Sequence, residues 1–438
     1  MTETFAPLGV LETVRAVAAG TLDPRSSVAA AAARARACEP AVGAFTHLAA
    51  LDAAADPGAG PLAGIAVAVK DLIDTAGMPT TYGSAIFADH VPAEDAAVVK
   101  RLKALSAVLV GKTVTTEFAW RHPAGTRNPW NVGHTPGGSS SGSAAAVASG
   151  AAHVALGTQT LGSVLRPAAY CGVVGLKASF GAVPRAGVHP LSQSLDHVGL
   201  FARTVDDAAL VLSLIAEGDG GLAFPPFGVP PEGLAPFPKP RIGLLAGPEW
   251  ELLEAPQREV LRQAAGVFAA AGALVEEIAL PPAFQRLGEI SATLCSAEGA
   301  YNLGPLTDRF PDKASERVKA LVEAGRAVPA TAYVAACHDR LALRATLPAA
   351  LAGFDVLLTA PAFGEAPEGL GNTGDPALCV PWTTLGVPAV ALPAGTGPKG
   401  LPLGIQLVAP FGEDLKLLRI AKACELALGR PVAVAPAA

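Results

Sequence analysis

Two long stretches of this chain carry no Asp, Glu, Lys or Arg, residues 128–165 and 376–398, and they narrow what it can fold into. Charge-free sequence of that length belongs in a bilayer or at the centre of a large globular fold. The first stretch is packed with Gly, Ser, Thr, Asn and His, and the second carries Pro376, Pro381, Pro388, Pro393 and Pro398. Neither can form the uninterrupted apolar helix that a bilayer demands, because backbone groups freed in lipid find no water. Both therefore read as the buried centre of a soluble globular protein.

Composition agrees. Of 438 residues, 51% are hydrophobic and 16% charged, which excludes a disordered chain. A formal net charge of −6 leaves no basic footprint for nucleic acid or anionic lipid, so neither is expected as a partner. No charged segment followed by an apolar one opens the chain, and a cytoplasmic location is expected. Cysteines at 38, 171, 295, 337, 379 and 424 include no C-x-x-C pair, which predicts reduced, mostly buried thiols.

Strand and helix signals alternate along the chain. Ser26 or Ser27 is placed to cap an Ala-rich helix that Pro40 should stop, and a loop is expected from Asp52 to Gly60. The run Gly64–Lys70 is apolar, β-rich and ends on a lysine, as a strand buried on both faces would. Further strands are predicted at Val108–Lys112, Val154–Gly157, Arg241–Leu245, Asp355–Thr359 and Val387–Leu392, with helices at Ala96–Leu105 and, capped by Ser143, at Ala144–Ala148. The expected fold is α/β, a mixed and mostly parallel core sheet covered by helices on both faces. It is read as one domain over 1–438: N-terminal helices over 1–60, a catalytic core over 61–220, a mainly helical insertion over 241–348 after a Pro-rich boundary, and completion of the core over 349–438.

Two segments carry the chemistry. Pro136–Ser143 reads PGGSSSGS, framed by apolar sequence as linkers seldom are. It lacks the lysine of a phosphate-binding loop. Gly138–Gly142 also matches G-x-S-x-G, but a nucleophile elbow must follow a strand, and residues 128–136 read as a loop. Gly157–Ser163 reads GTQTLGS, whose small residues would let backbone N–H groups converge on a developing oxyanion.

Together with Val69-Lys70-Asp71, these segments resemble the amidase-signature family, whose motifs are a strand-end lysine, a P-G-G-S-S-x-G-S loop and a G-T-x-T-x-G-S turn. Lys70 and Ser139 lie 69 residues apart and Ser139 and Ser163 lie 24 apart, which fits that pattern. Flanking sequence agrees, at Cys171–Lys177, Ser194–Gly199 and Gly400–Leu407, so the likeness covers most of the chain and is weakest over the insertion.

The resemblance implies an amidase that hydrolyses a small-molecule carboxamide through an acyl-enzyme on Ser163. Ser139 would bridge, following a cis peptide after Gly138, and Lys70, kept neutral by burial, would be the base. The N–H groups of Thr160, Leu161, Gly162 and Ser163 would form the oxyanion hole, and Gly138 and Arg166 would bind substrate. No cofactor or metal is implied, and a homodimer is compatible with the family. The nearest alternative is the catalytic subunit of a tRNA-dependent amidotransferase, which uses the same triad with a partner subunit. A catalytically dead binding protein is a third reading, opposed by retention of all three residues.

Two departures stand out. Family members commonly read Asp-Thr-Gly-Gly-Ser where this chain has Gln159-Thr160-Leu161-Gly162-Ser163. They also place arginine two residues after the nucleophile, whereas Arg166 stands third, an S-x-x-R-P order similar to malonamidase-like members. A buried guanidinium needs compensation. Arg166 should either pair with a distant acid such as Asp196 or face the cleft and take a substrate carboxylate. His122, His134, His153, His189 and His197 show no metal-binding spacing and are expected in loops or solvent.

Overall fold

Eleven strands form one continuous sheet in the computed structural model, which describes residues 8–50, 58–219, 224–351, 353–430 and 434–436. In chain order they are β1 (Phe45–Leu48), β2 (Ala66–Lys70), β3 (Val108–Thr113), β4 (Val154–Gln159), β5 (Val174–Lys177), β6 (His197–Ala202), β7 (Arg241–Leu245), β8 (Leu274–Ile278), β9 (Val356–Thr359), β10 (Ala389–Thr396) and β11 (Pro402–Val408). Across the sheet they run β1-β3-β2-β4-β6-β5-β10-β11-β9-β7-β8.

The period-two alternation of a strand divides β2 between two cores. Val67 and Val69 pack with helices Ala97–Ala104, Val205–Ile215, Ala255–Ala270 and Asp414–Leu428 on one face. Ala66 and Ala68 pack with helices Pro24–Val42, Ser141–Ala148 and Leu165–Cys171 on the other. Both faces of β2, β4, β5, β6, β9 and β11 are buried at every position, which is why β2, β4 and β9 read as apolar runs.

The sheet is mixed, as expected, but parallel pairing is in the minority. β2 runs parallel to β3 and β4, and β7 to β8 and β9, whereas the other six pairings are antiparallel. Part of the reason is local. A short turn closed by Gly400 N–H on Gly397 O joins β10 to β11, and so short a connection forces antiparallel strands.

Helix boundaries also differ from expectation. The first long helix begins at Pro24, with the Asp23 carboxylate accepting from Arg25 N and Ser26 N, so neither Ser26 nor Ser27 is the cap. It continues past Pro40 to Val42. Pro40 forfeits its own N–H bond, but Gly43 N closes on Glu39 O at 2.8 Å, and the Glu39 carboxylate takes the N–H groups of Ala44 and Phe45. The helix expected after Ser143 starts at Ser141, with Ser140 at its cap position. The insertion is helical over Leu287–Arg309, Glu316–Arg326 and Ala330–Ala350, but it also contributes β8 to the sheet edge. Most of the loop expected at Asp52–Gly60 lies outside the described residues.

Five of the six cysteines are buried and all are free thiols. His134, His153 and His197 are buried rather than solvated, held by backbone or hydroxyl partners. Among the described residues no cluster of metal-ligating side chains occurs, and no helix is long and apolar enough to cross a membrane.

Candidate active site

Parallel pairing of β2 with β4, Val69 opposite Leu156, carries the end of β2 alongside the Gly157–Ser163 turn. Lys70 at that end is fully buried. Its Nζ lies 2.7 Å from Ser139 Oγ and 2.7 Å from Thr158 Oγ1. Among the described residues no carboxylate touches it. The neighbouring Asp71 accepts from Thr81 N and Thr81 Oγ1 and lies 3.5 Å from the Lys112 ammonium. Burial holds the Lys70 pKa well below its ordinary value of 10.5, and the charge of Asp196 opposes that shift.

Ser139 follows the Gly138–Ser139 cis peptide that the resemblance implies. Ser163 and Ser139 both line a cavity of about 700 Å³, together with Thr160, Leu161 and Arg166. The turn between β4 and Ser163 is fixed at three points. Thr160 Oγ1 donates to Asp196 Oδ1 at 2.6 Å. Thr383 Oγ1, on the short helix Val380–Thr384, donates to Leu161 O at 2.7 Å. Gln159 Oε1 accepts from Val164 N and Leu165 N, at 2.8 and 3.0 Å, while its Nε2 bonds Thr383 Oγ1. Those bonds satisfy the N–H groups just after Ser163, as a capping side chain does for a helix start. Among the described residues no acceptor meets the N–H groups of Leu161, Gly162 and Ser163. Gln159 therefore has a structural use for the carboxamide that replaces the commoner aspartate.

Arg166 does not pair with Asp196, and that expectation is corrected. Both Asp196 oxygens are already taken, one by Thr160 and the other by Leu191 N and Ser192 N. Arg166 instead donates Nε to Thr373 O at 2.8 Å and Nη2 to Gly138 O at 2.6 Å. Its Nη1 is buried without a partner among the described residues. Gly138 thus offers its carbonyl to Arg166 and not to the cavity.

Sequence reasoning missed Thr158 as a contact of Lys70, Thr383 as the post behind the turn, and Trp120, Arg121 and Arg317 on the cavity wall. Thr158 stood inside a recognised motif and was legible. Thr383 and Arg317 lie in segments far along the chain, where spacing gives no signal.

The sheet, the Lys70–Ser139 contact and the glycine-rich turn define a class, and comparison with known proteins agrees. The amidase family profile matches residues 26–418, and this chain belongs to that family. A glutamyl-tRNA(Gln) amidotransferase subunit of Thermus thermophilus is 37% identical over 96% of this chain and 97% of its own length. Peptide amidase from Stenotrophomonas maltophilia superimposes with a TM-score of 0.83 at 29% identity, covering 98% and 99% of the two chains. A 6-aminohexanoate cyclic dimer hydrolase gives a TM-score of 0.87 at 26% identity, covering 98% and 99%. The chain is an enzyme of the amidase family, acting on C–N bonds.

Proposed function

We propose that this enzyme hydrolyses a small-molecule carboxamide to a carboxylate and ammonia or an amine through an acyl-enzyme on Ser163. The observation that carries the reading is the buried contact of Lys70 Nζ with Ser139 Oγ at 2.7 Å, beside a cavity that also exposes Ser163. Neutral Lys70 accepts the Ser139 proton as Ser139 takes that of Ser163, and Ser163 Oγ attacks the amide carbon. The tetrahedral oxyanion is met by the free N–H groups of the turn. Collapse breaks the C–N bond, with the proton returned through Ser139 to the leaving nitrogen. Water then attacks the ester by the same relay and releases the acid. Arg166, with Nη1 unpartnered at the cavity wall, supplies a fixed cation to the bound amide.

A second reading, the catalytic subunit of a tRNA-dependent amidotransferase, is favoured by the name of the Thermus thermophilus relative. Sequence similarity supports it better than it supports a stand-alone amidase, whereas the superpositions include stand-alone hydrolases. Both readings share release of ammonia from Ser163.

The test is direct. Purified enzyme with a panel of carboxamides should release ammonia, and hydroxylamine should divert the acyl group to a hydroxamate. Ser163→Ala should abolish both with an unchanged circular dichroism spectrum, and full activity in that variant sinks the assignment. Recovery of the tagged chain with stoichiometric partner subunits, and amide hydrolysis only in their presence, selects the amidotransferase reading.

A further inference from the structure

At the wall of the cavity the backbone leaves ordinary L-residue geometry. Phe118, Ala119 and Arg121 have φ of 47°, 60° and 42°. Such conformations cost about 1–3 kcal/mol each and persist where surrounding structure imposes them. Here Phe118 N bonds Tyr82 O at 2.8 Å, and the Glu117 carboxylate takes Ser84 Oγ and Ser315 N. Trp120 Nε1 donates to Arg317 O at 3.1 Å, and the Arg317 guanidinium returns to Arg121 O and Gly371 O. The bent segment is thereby tied to the helical insertion. The outcome is that Trp120, Arg121 and Arg317 all line the cavity.

Charge is distributed unevenly there. Arg121, Arg166 and Arg317 line the cavity, against a single carboxylate, Asp375, whose Oδ1 is engaged by Ala377 N. Some outward arginines bond backbone carbonyls, as Arg127 and Arg430 do, and others find acids: Arg185 pairs with Asp219, Arg286 with Asp339 and Arg326 with Asp308. Among the described residues Arg121 and Arg317 pair with none. The Arg121 guanidinium rests over the Trp120 ring, 5.0 Å from its centroid, which orients it without neutralising it. In a chain of formal charge −6, a cavity lined this way is a local positive well.

We infer that the substrate is an amide whose far end carries a carboxylate, and that Arg121 and Arg317 hold that anion at the cavity wall while the amide reaches Ser163. The inference rests on the amidase reading for the site, and names the class of amide it takes. Arg121 is the discriminating residue, because among the described residues its guanidinium makes no hydrogen bond that holds the fold, whereas Arg317 also ties the strained segment.

The experiment uses Ser163→Ala enzyme, so that ligand persists. Binding of malonamate, succinamate and glutaramate is measured by calorimetry, each against its uncharged diamide. The charged ligand of at least one pair should bind more tightly. Adding Arg121→Gln should weaken that ligand about tenfold, equivalent to 1.4 kcal/mol, and its diamide far less. Salt that shortens the Debye length to about 3 Å should erode the same preference. Equal affinity for acid and diamide at every length, or an equal loss of both in Arg121→Gln, overturns the inference. Wild-type enzyme that hydrolyses neutral amides while showing no anion preference refutes this inference alone. Charged-ligand binding by the Ser163→Ala enzyme, together with no hydroxamate from the wild-type enzyme on any of these amides, refutes the amidase reading instead.

Discussion

Removing an ammonium from water costs several kcal/mol unless a carboxylate meets it, and among the described residues Lys70 has none in contact. Its partners are two hydroxyls at 2.7 Å and the Thr158 carbonyl at 3.4 Å, all uncharged groups that serve a neutral amine as well as a charged one. One strand away the fully buried Lys112 faces the opposite circumstance, 3.5 Å from Asp71, with its pKa brought down only to about 8. The proposed base therefore owes its character to what Asp71 does elsewhere. With its folded-state pKa depressed, Lys70 becomes competent as pH rises, so the rate of acylation should climb through an apparent pKa below 10.5 and then level. Lys70→Ala should lower that rate on the order of 10²- to 10⁴-fold, measured by single-turnover kinetics. A wild-type profile flat from acid to alkaline pH, with acylation limiting, contradicts a neutral-lysine base. Lys70, Ser139 and Ser163 were legible in the sequence because each sits in a motif of restricted residue types. The partners of Arg166 were not: Thr373 lies 207 residues away, and a side chain that bonds backbone carbonyls leaves no complementary charge to look for.

Strands covered on both faces announce themselves as β-branched apolar runs, and β2, β3, β4, β7 and β9 were readable for that reason. The segments VGLK of β5 and HVGLFA of β6 are as deeply buried, but glycine and a polar end obscure the pattern over so few residues. β11 carries Gln406 within it, a polar residue that the core accommodates through Leu378 O. The short helix Val380–Thr384 was equally hidden, with proline as its second residue inside a charge-free stretch. It is nonetheless the element that fixes the turn, through one hydroxyl shared between Leu161 O and Gln159 Nε2. Thr383→Val keeps the shape and removes that hydroxyl, leaving a buried carbonyl short of its donor at a cost of about 1–3 kcal/mol. Stability in denaturant should fall by that amount. Because the turn presents the N–H groups proposed to meet the oxyanion, kcat should fall more than KM rises. Unchanged kcat in a destabilised variant would show that the turn holds its shape without the helix.

Across the whole molecule, His153, just before β4, ties that strand to two other pieces. Its Nδ1 accepts from Ala66 N at the head of β2, and its Nε2 meets Ser27 Oγ on the first long helix. Accepting at Nδ1 requires a neutral ring, and burial lowers its pKa from 6.5 to about 3. In the unfolded chain the same ring protonates near 6.5, so its contribution is complete above that pH and is lost as pH falls towards 3. Wild-type enzyme should lose about 1.4 kcal/mol of stability per pH unit in that window relative to His153→Gln, followed by denaturant unfolding at stepped pH. Parallel slopes for the two proteins would remove His153 from the account.

The position of β10 in the sheet also sets an order of manufacture. It pairs with β5 on one side and β11 on the other, and beyond β11 lie β9, β7 and β8. On the ribosome, the strands bearing Lys70 and the Ser163 turn emerge early, yet their half of the sheet joins the other only once residues 389–396 have been translated. Until then both halves carry an open edge that an identical nascent neighbour could pair with. The same delay governs competence: Thr383 and the wall at Thr373–Asp375 are also late products. The residues proposed for the chemistry are thus made first and their containment last, so a growing chain holds its proposed nucleophile without the means to aim it.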